Sequence, residues 1–244
     1  MTLRVATWNV WFGEWAEASR QAALWAELAR LEPDVICLQE MTLPHFEGPG
    51  LRARRRRGDW ISESPRSRYD VVTLARAPVR GSERVPLPSD MGRNLLITRL
   101  ATSPPLTVAT VHLESTAETT ARRVQQLELI TERLARERDV LLVGDMNFPD
   151  GERPEAAALA GWRDAWRELR PGDPGYTVDS ETNQMRAWTN PRRKRARLDR
   201  ALLRGDGWRF TAATRLGTRP LPEDPLTFIS DHYGLLVELT PRER

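Results

Sequence analysis

Lysine and cysteine are almost missing from this 244-residue sequence. Lys194 is the sole lysine, so of 37 lysines and arginines the other 36 are arginines. With Cys37 as the one cysteine, neither an internal disulfide nor a cysteine-rich zinc site can form. Cys37 sits in the apolar run Val35-Ile36-Cys37-Leu38 and reads as a core residue. No stretch approaches the ~18 apolar residues of a membrane span. The opening residues Met-Thr-Leu-Arg-Val-Ala-Thr-Trp-Asn also lack the basic and then apolar pattern of a secretory signal. A soluble cytoplasmic protein is the expectation. A large charge excess is missing too, since 37 basic residues against 34 acidic ones leave +3, too little to define a protein that coats nucleic acid. Arginine's planar fork suits phosphate, although a genome-wide codon preference explains the same count.

What is present suits one domain over residues 1–244, with 40% hydrophobic residues to build its core. Strand-like runs fall at 3–10, 35–40, 69–75, 80–85, 94–100, 106–113, 140–143, 198–203, 211–216 and 233–239. Helical spacing covers 15–31, where Leu24, Leu28 and Leu31 recur before the stop Glu32-Pro33. It also covers 116–138, along Val124, Leu127, Ile130 and Leu134, and a third helix is marked by Trp162, Trp166 and Leu169. Residues 42–68 read as a short helix plus exposed loop that includes the run Arg54 to Arg57. Many strands with helices between some of them predict sheets packed face to face with helices outside, a layered α/β sandwich. A glycine-rich nucleotide loop is lacking after the first strand, where Asn9-Val10-Trp11-Phe12-Gly13 stands.

Polar residues cluster where strands end. Asn9 closes the first, Gln39-Glu40 the second, His112 another, Asp145 and Asn147 the central one, and Asp231-His232 precede the last. Singly each reads best as a turn former or a satisfied core group. Five ends carrying carboxylate, amide or imidazole read better as one site, because strand ends hold side chains at a common rim. The chemistry they suit is phosphate-ester hydrolysis, which needs a hard cation, donors aimed at phosphoryl oxygens and a group to handle water. Mg²⁺ takes few protein carboxylates, and Glu40 fits that role. Asp145 suits the water, Asn9 and Asn147 the donors, and an imidazolium at His232 the developing charge. Either Asp231 or Asp199 could hold its ring.

Thr7-Trp8-Asn9, Leu38-Gln39-Glu40, Gly144-Asp145-Met146-Asn147 and Ser230-Asp231-His232 resemble, in order, the four motifs of the endonuclease/exonuclease/phosphatase superfamily. Met91-Gly92-Arg93-Asn94, His112-Leu113-Glu114-Ser115-Thr116, Tyr176-Thr177 and Arg197-Leu198-Asp199-Arg200 narrow the resemblance to its 5′-tyrosyl-DNA branch. The resemblance implies a four-layer α/β sandwich of two mostly antiparallel mixed sheets flanked by helices. It implies a Mg²⁺-dependent phosphodiesterase, with Mn²⁺ as a substitute, that cleaves the phosphotyrosyl bond at a DNA 5′ end and leaves a 5′-phosphate. Glu40 would hold the metal, and Asp145, His232, Asn147, Asn9 and Asp231 would form the catalytic set. His112, Ser115, Arg93, Asn94, Tyr176, Trp188 and Arg197 would bind substrate, and Asp199 would orient. The implied partner is a single-stranded or frayed DNA 5′ end, met by a monomer away from any membrane.

Departures from the pattern carry their own implications. Trp11 replaces an aspartate common in superfamily nucleases, which favours one metal. Pro149 stands at an expected basic DNA contact, with Arg153 near it in sequence. Val178 stands at an expected aromatic, which moves any stacking surface to Trp188. Ser115 and Glu118 form a Ser-x-x-Glu pattern that also reads as a capping box for the 116–138 helix. Of the two basic runs, Arg192-Arg193-Lys194-Arg195 is the one expected at DNA. The competing readings are another nuclease or phosphatase of the same fold, acting on a different DNA lesion, lipid or small phosphoester, and a catalytically silent DNA-binding module.

Overall fold

The computed structural model describes residues 2–190 and 192–242; Met1, Glu243 and Arg244, at the ends of the expected domain, and Pro191 lie outside the described residues. Two six-stranded sheets dominate. The first runs, in spatial order, Trp208–Leu216, Gly234–Pro241, Leu3–Asn9, Val35–Met41, Asp70–Ala75 and Trp60–Ile61. The second runs Val79–Pro86, Asn94–Leu100, Leu106–His112, Val140–Asp145, Asp199–Arg204 and Arg163–Asp164.

Each sheet contains one parallel pair in an otherwise antiparallel array: Leu3–Asn9 beside Val35–Met41, and Leu106–His112 beside Val140–Asp145. Parallel neighbours need a long crossover. The helices Glu17–Leu31 and Thr120–Leu134 supply the two. The apolar runs of these strands alternate between faces, as both faces are covered. Leu3, Val5, Val35 and Cys37 join Val108, Leu141, Val143 and Leu203 in the core between the sheets. Ala6, Trp8, Ile36 and Leu38 turn outward and pack on Leu24 and Leu28 of the first crossover helix. Ala109, Val111 and Leu142 turn outward on the other side, onto Leu127, Ile130 and Leu134. Helix, sheet, sheet and helix make the expected four-layer sandwich. A polar link, Thr73 Oγ1 to Thr110 Oγ1 at 3.1 Å, joins the two sheets across that core beside the buried Cys37.

Several sequence readings shift. The Arg54 to Arg57 run is no loop: it ends the helix Pro49–Arg56, where cations favour the carboxyl end of the dipole. Arg54 is buried there, donating to Leu28 O at 3.0 Å and pairing with Asp59. The expected 116–138 helix divides into a 3-10 turn, Ala117–Thr119, and the helix Thr120–Leu134. Neither has a side-chain cap, so Ser115 does not close a capping box. Trp162 precedes a two-residue strand, and the helix is only Ala165–Leu169. The ribbon Val178–Asp179 with Arg195–Ala196 and the helix Gln184–Thr189 are too short to leave a periodic signal.

Candidate active site

Strand register explains the convergence. In the first parallel pair Asn9 stands opposite Gln39, beside Glu40. In the second His112 stands opposite Asp145, and Asp199 faces Asp145 from its other neighbour. Parallel strands finish at the same edge, and stacking the two sheets brings both edges to one rim. There a cleft of about 620 Å³ is lined by Glu40, His112, Ser115, Asp145, Asn147, Asp231 and His232, with Trp11, Phe12, Arg153, Arg186, Arg192, Arg193 and Lys194 around its wall.

Asn9 binds the two halves of the site together. Its Nδ2 donates to Glu40 Oε1 and to Asp145 Oδ2, both at 3.1 Å, while its Oδ1 accepts from the Trp11 N–H at 3.0 Å. The Glu40 Oε2 accepts from the Phe12 N–H at 3.1 Å. Burial first, and then the charge of Asp231, push the Glu40 carboxyl up to about 7. No basic side chain pairs with Glu40 among the described residues.

Asp145 is completely enclosed. Burial opposes its charge, yet His232, His112, the Asn147 N–H and Asn9 together hold it below the usual carboxylate range. Its Oδ1 accepts from Asn147 N at 2.9 Å. Trp11, Glu40 and Asn147 all have left-handed backbones, with φ of 54°, 61° and 56°. Such strain costs on the order of 1–3 kcal/mol per residue and persists only where surrounding bonds over-determine it. The hydrogen bonds just named do that.

The two histidines of the cleft differ in charge, His112 being neutral and His232 cationic. Burial and Arg93 push His112 down to about 3. Its Nδ1 accepts from Arg93 Nη1 at 3.0 Å, so the neutral ring keeps its proton on Nε2, 3.4 Å from Asp145 Oδ2. Burial opposes charge on His232 as well, but Asp199, Asp145 and Asp231 raise it to about 10. Asp199, not Asp231, holds its ring, with Oδ2 at 2.8 Å from Nδ1. Asp231 instead accepts from Arg186 Nη1 at 3.0 Å. Trp8 Nε1 and Ser230 Oγ pin the backbone of this segment, at His232 O (3.0 Å) and Asn9 O (2.6 Å) respectively.

The Ser115 hydroxyl, free of any helix cap, accepts from Arg93 Nη2 at 2.8 Å and Asn147 Nδ2 at 3.3 Å. Arg93 therefore lies behind His112 and Ser115. Asn94, Tyr176, Trp188 and Arg197 do not line the cleft. Asn94 donates to Asp70 and Gly92. Tyr176 lies under Arg195, and Trp188 meets Trp15 edge-on at 4.5 Å. The Arg197 guanidinium is buried between Asp150 and Asp164, its Nη2 and Nη1 each 2.7 Å from a carboxylate, and its Nε, Nη1 and Nη2 all donate to this pair. Val178 is buried with Ala196 and Leu198, so no stacking surface exists at that position. Arg153 does reach the cleft, next to Pro149.

Arg186 and Phe12 escape sequence reasoning. Arg186 lies in a six-residue helix with no readable pattern. Phe12 stacks on Tyr69 with ring centroids 4.5 Å apart, a pairing of distant segments.

Two donor sets could take a cation. Asp145, Asp199 and His232 bring ligand atoms within 4.8 Å of one another. In that trio, however, the imidazole Nδ1 already donates to Asp199, so it has no lone pair to offer a metal. Glu40 is a half-buried carboxylate near Asp231, with no basic side chain in ion-pair reach among the described residues, and its oxygens suit a hard ion that keeps most of its waters. The donor set fits a divalent ion on Glu40.

The model of the "Endonuclease/Exonuclease/phosphatase family" matches residues 6–232. Tyrosyl-DNA phosphodiesterase 2 of Xenopus tropicalis is 30% identical over 256 residues, spanning 95% of this chain and 64% of that protein. The Homo sapiens protein of the same name is 30% identical over 247 residues, 96% of this chain and 67% of its own length. The chain thus spans about two thirds of the length of these relatives. Among solved structures, D. rerio TDP2 complexed with single strand DNA product superposes with a TM-score of 0.85 at 26% identity, covering 98% of this chain and 99% of that one. The human Nocturnin catalytic domain shares the fold, with a TM-score of 0.76 at 16% identity over 99% of this chain and 94% of its own. A family match running from the first strand to His232, on a rim built from the same motifs, has one meaning: the chain belongs to the endonuclease/exonuclease/phosphatase family.

Proposed function

We propose that this chain is a Mg²⁺-dependent phosphodiesterase that hydrolyses 5′-phosphotyrosyl ends of DNA and leaves a 5′-phosphate, with Mn²⁺ able to replace Mg²⁺. One observation carries the reading: Asn9 links Glu40 to Asp145 at 3.1 Å each, with His232 held as an imidazolium beside them. A binding module has no need of two carboxylates bridged by one amide opposite a charged histidine. The relatives named tyrosyl-DNA phosphodiesterase 2, and the structure of one with single strand DNA product, support the choice of substrate.

Glu40 is the residue that would hold the ion, which would supply a Lewis acid for the phosphoryl oxygens. Asp145, kept ionised by its neighbours, orients the attacking water and accepts its proton. His232 spends its Nδ1–H on Asp199. Its Nε2–H remains to stabilise charge on a phosphoryl oxygen, where a preorganised donor in a dry cleft is worth most. Neutral His112 donates from Nε2, and Arg93 fixes its tautomer. Arg186, Arg192 and Arg193 border the cleft where a DNA 5′ end would enter, single-stranded or frayed. No helix among the described residues is long and apolar enough to cross a membrane. A single domain, a monomeric state and a cytoplasmic location complete the reading.

The test is turnover by purified protein with Mg²⁺ of a 5′-tyrosyl oligonucleotide, compared with an abasic duplex, a phosphoinositide and sphingomyelin. Release of tyrosine with a 5′-phosphorylated product is expected. Robust turnover of a lipid alone would end this reading.

A further inference from the structure

The only lysine of the chain lies in the cleft. Lys194 lines the same wall as Asp145, Asn147 and His232. Arg192 and Arg193 before it and Arg195 after it are exposed, whereas Lys194 is half-buried. Its backbone is held on both sides by Ser180, whose Oγ accepts from Lys194 N at 3.1 Å and whose N–H donates to Lys194 O at 2.9 Å. Arg195 is spent on Asp179 and Glu181 and covers the Tyr176 ring. Lys194 has no carboxylate within ion-pair distance and no side-chain hydrogen bond among the described residues. Burial pulls its ammonium below the usual lysine range, and the charges it feels are Asp145, Arg186, Arg123 and Asp199. Asp145, Arg186 and Arg123 line the cleft together with Lys194.

An unpaired, half-buried cation in the wall of the cleft that holds the water-handling aspartate is suited to an anion. We propose that the Lys194 ammonium binds the non-bridging oxygens of the phosphoryl group that reacts, as a catalytic residue that stabilises its developing charge. This rests on the phosphodiesterase reading and adds to it a separate role for one member of the basic run. Arg192 and Arg193 remain at the mouth, while Lys194 acts at the reacting centre. A point charge on a flexible stem suits that place, because a guanidinium fork is wider and more rigid.

Two measurements decide it. The first uses the p-nitrophenyl ester of thymidine 5′-monophosphate, which has no neighbouring phosphates. Lys194→Met should reduce kcat/KM on this small ester by about 10²-fold, the scale for losing one transition-state donor, with Lys194→Arg in between and the thermal melts of both variants unchanged. A loss confined to oligonucleotides, with the small ester unaffected, would overturn the proposal and make Lys194 a backbone-tracking cation. The second measurement does not depend on turnover. Pyridoxal 5′-phosphate, an aldehyde carrying a phosphate, followed by borohydride reduction and peptide mass mapping, should label Lys194, and inorganic phosphate should protect it. Labelling of the amino terminus alone, or labelling of Lys194 that phosphate does not slow, would overturn the assignment. If the wild-type protein turned over neither ester nor tyrosyl oligonucleotide, the phosphodiesterase reading would fail, while the labelling would still report whether Lys194 meets a phosphate.

Discussion

Nδ1 of His232 lies 2.8 Å from Oδ2 of Asp199, a residue 33 positions earlier that begins a strand of the opposite sheet. The pair joins the two halves of the sandwich at the site and sets the charge state of the imidazole. Its pKa of about 10 stands above the usual 6.5, so the stabilisation it contributes is fully present below about 6.5 and is lost as pH rises through about 10.

Asp199→Asn should remove that window. Urea melts of the wild type are expected to weaken from neutral pH toward 10, and the variant's melts should vary less over the same range. The alkaline limb of its pH–rate profile should move toward 6.5, with kcat down ~10²-fold or more at neutral pH. An unmoved alkaline limb would detach Asp199 from His232.

Glu40 gives the reverse sign. Its carboxyl is raised from 4.5 to about 7, so without a cation it costs stability above about 7 and nothing below 4.5. Metal-free Glu40→Gln should therefore melt higher than wild type at pH 8, by on the order of 2 kcal/mol, and equally at pH 4. Mg²⁺ should raise the melting temperature of the wild type and leave the variant's unchanged. Equal responses of the two proteins to Mg²⁺ would move the ion elsewhere.

Arg197 separates structure from substrate binding. Arg197→Met leaves half-buried Asp164 without its arginine, while exposed Asp150 keeps Arg167 and Arg200, and should cost about 1–3 kcal/mol of stability. Below the melting range KM for a tyrosyl oligonucleotide should stay within about twofold. A normal melt with a much higher KM would return Arg197 to the DNA surface.

Gly144 immediately precedes Asp145 with φ of 131°, and a Cβ there would stand 1.9 Å from Val111 O. Only glycine lets the central strands approach this closely at the point where His112 and Asp145 pair. Gly144→Ala should destabilise by at least about 2 kcal/mol, through backbone strain and overlap. A urea midpoint equal to wild type would show that the strands can separate freely.

Much of this was readable in the chain itself. The two crossover helices were legible because leucines at 24 and 28, and Leu127, Ile130 and Leu134, repeat with helical spacing and are buried as that spacing requires. Ten of the strands were legible from apolar runs or from the turns that bound them. The short pieces from Val178 to Ala196 were not, because two strand residues or one and a half turns leave no period to detect. The Ser115-x-x-Glu118 pattern misled for a different reason. Arg93 and Asn147 reach Ser115 from other strand ends, and a tertiary hydrogen bond outcompetes a local cap.

The sequence by itself determined which chemical groups stand at the ends of which strands, since strand periodicity and residue type are properties of neighbouring positions. It determined that Asn9, Glu40, His112, Asp145 and His232 are available to one rim. Only the tertiary structure decided who touches whom: Asp199 rather than Asp231 at His232, Arg197 locked between two carboxylates, and Lys194 half-buried in the cleft wall beside the exposed Arg192 and Arg193. Charge state depends on burial and on distances of a few ångströms between segments far apart in the chain, and packing alone sets those.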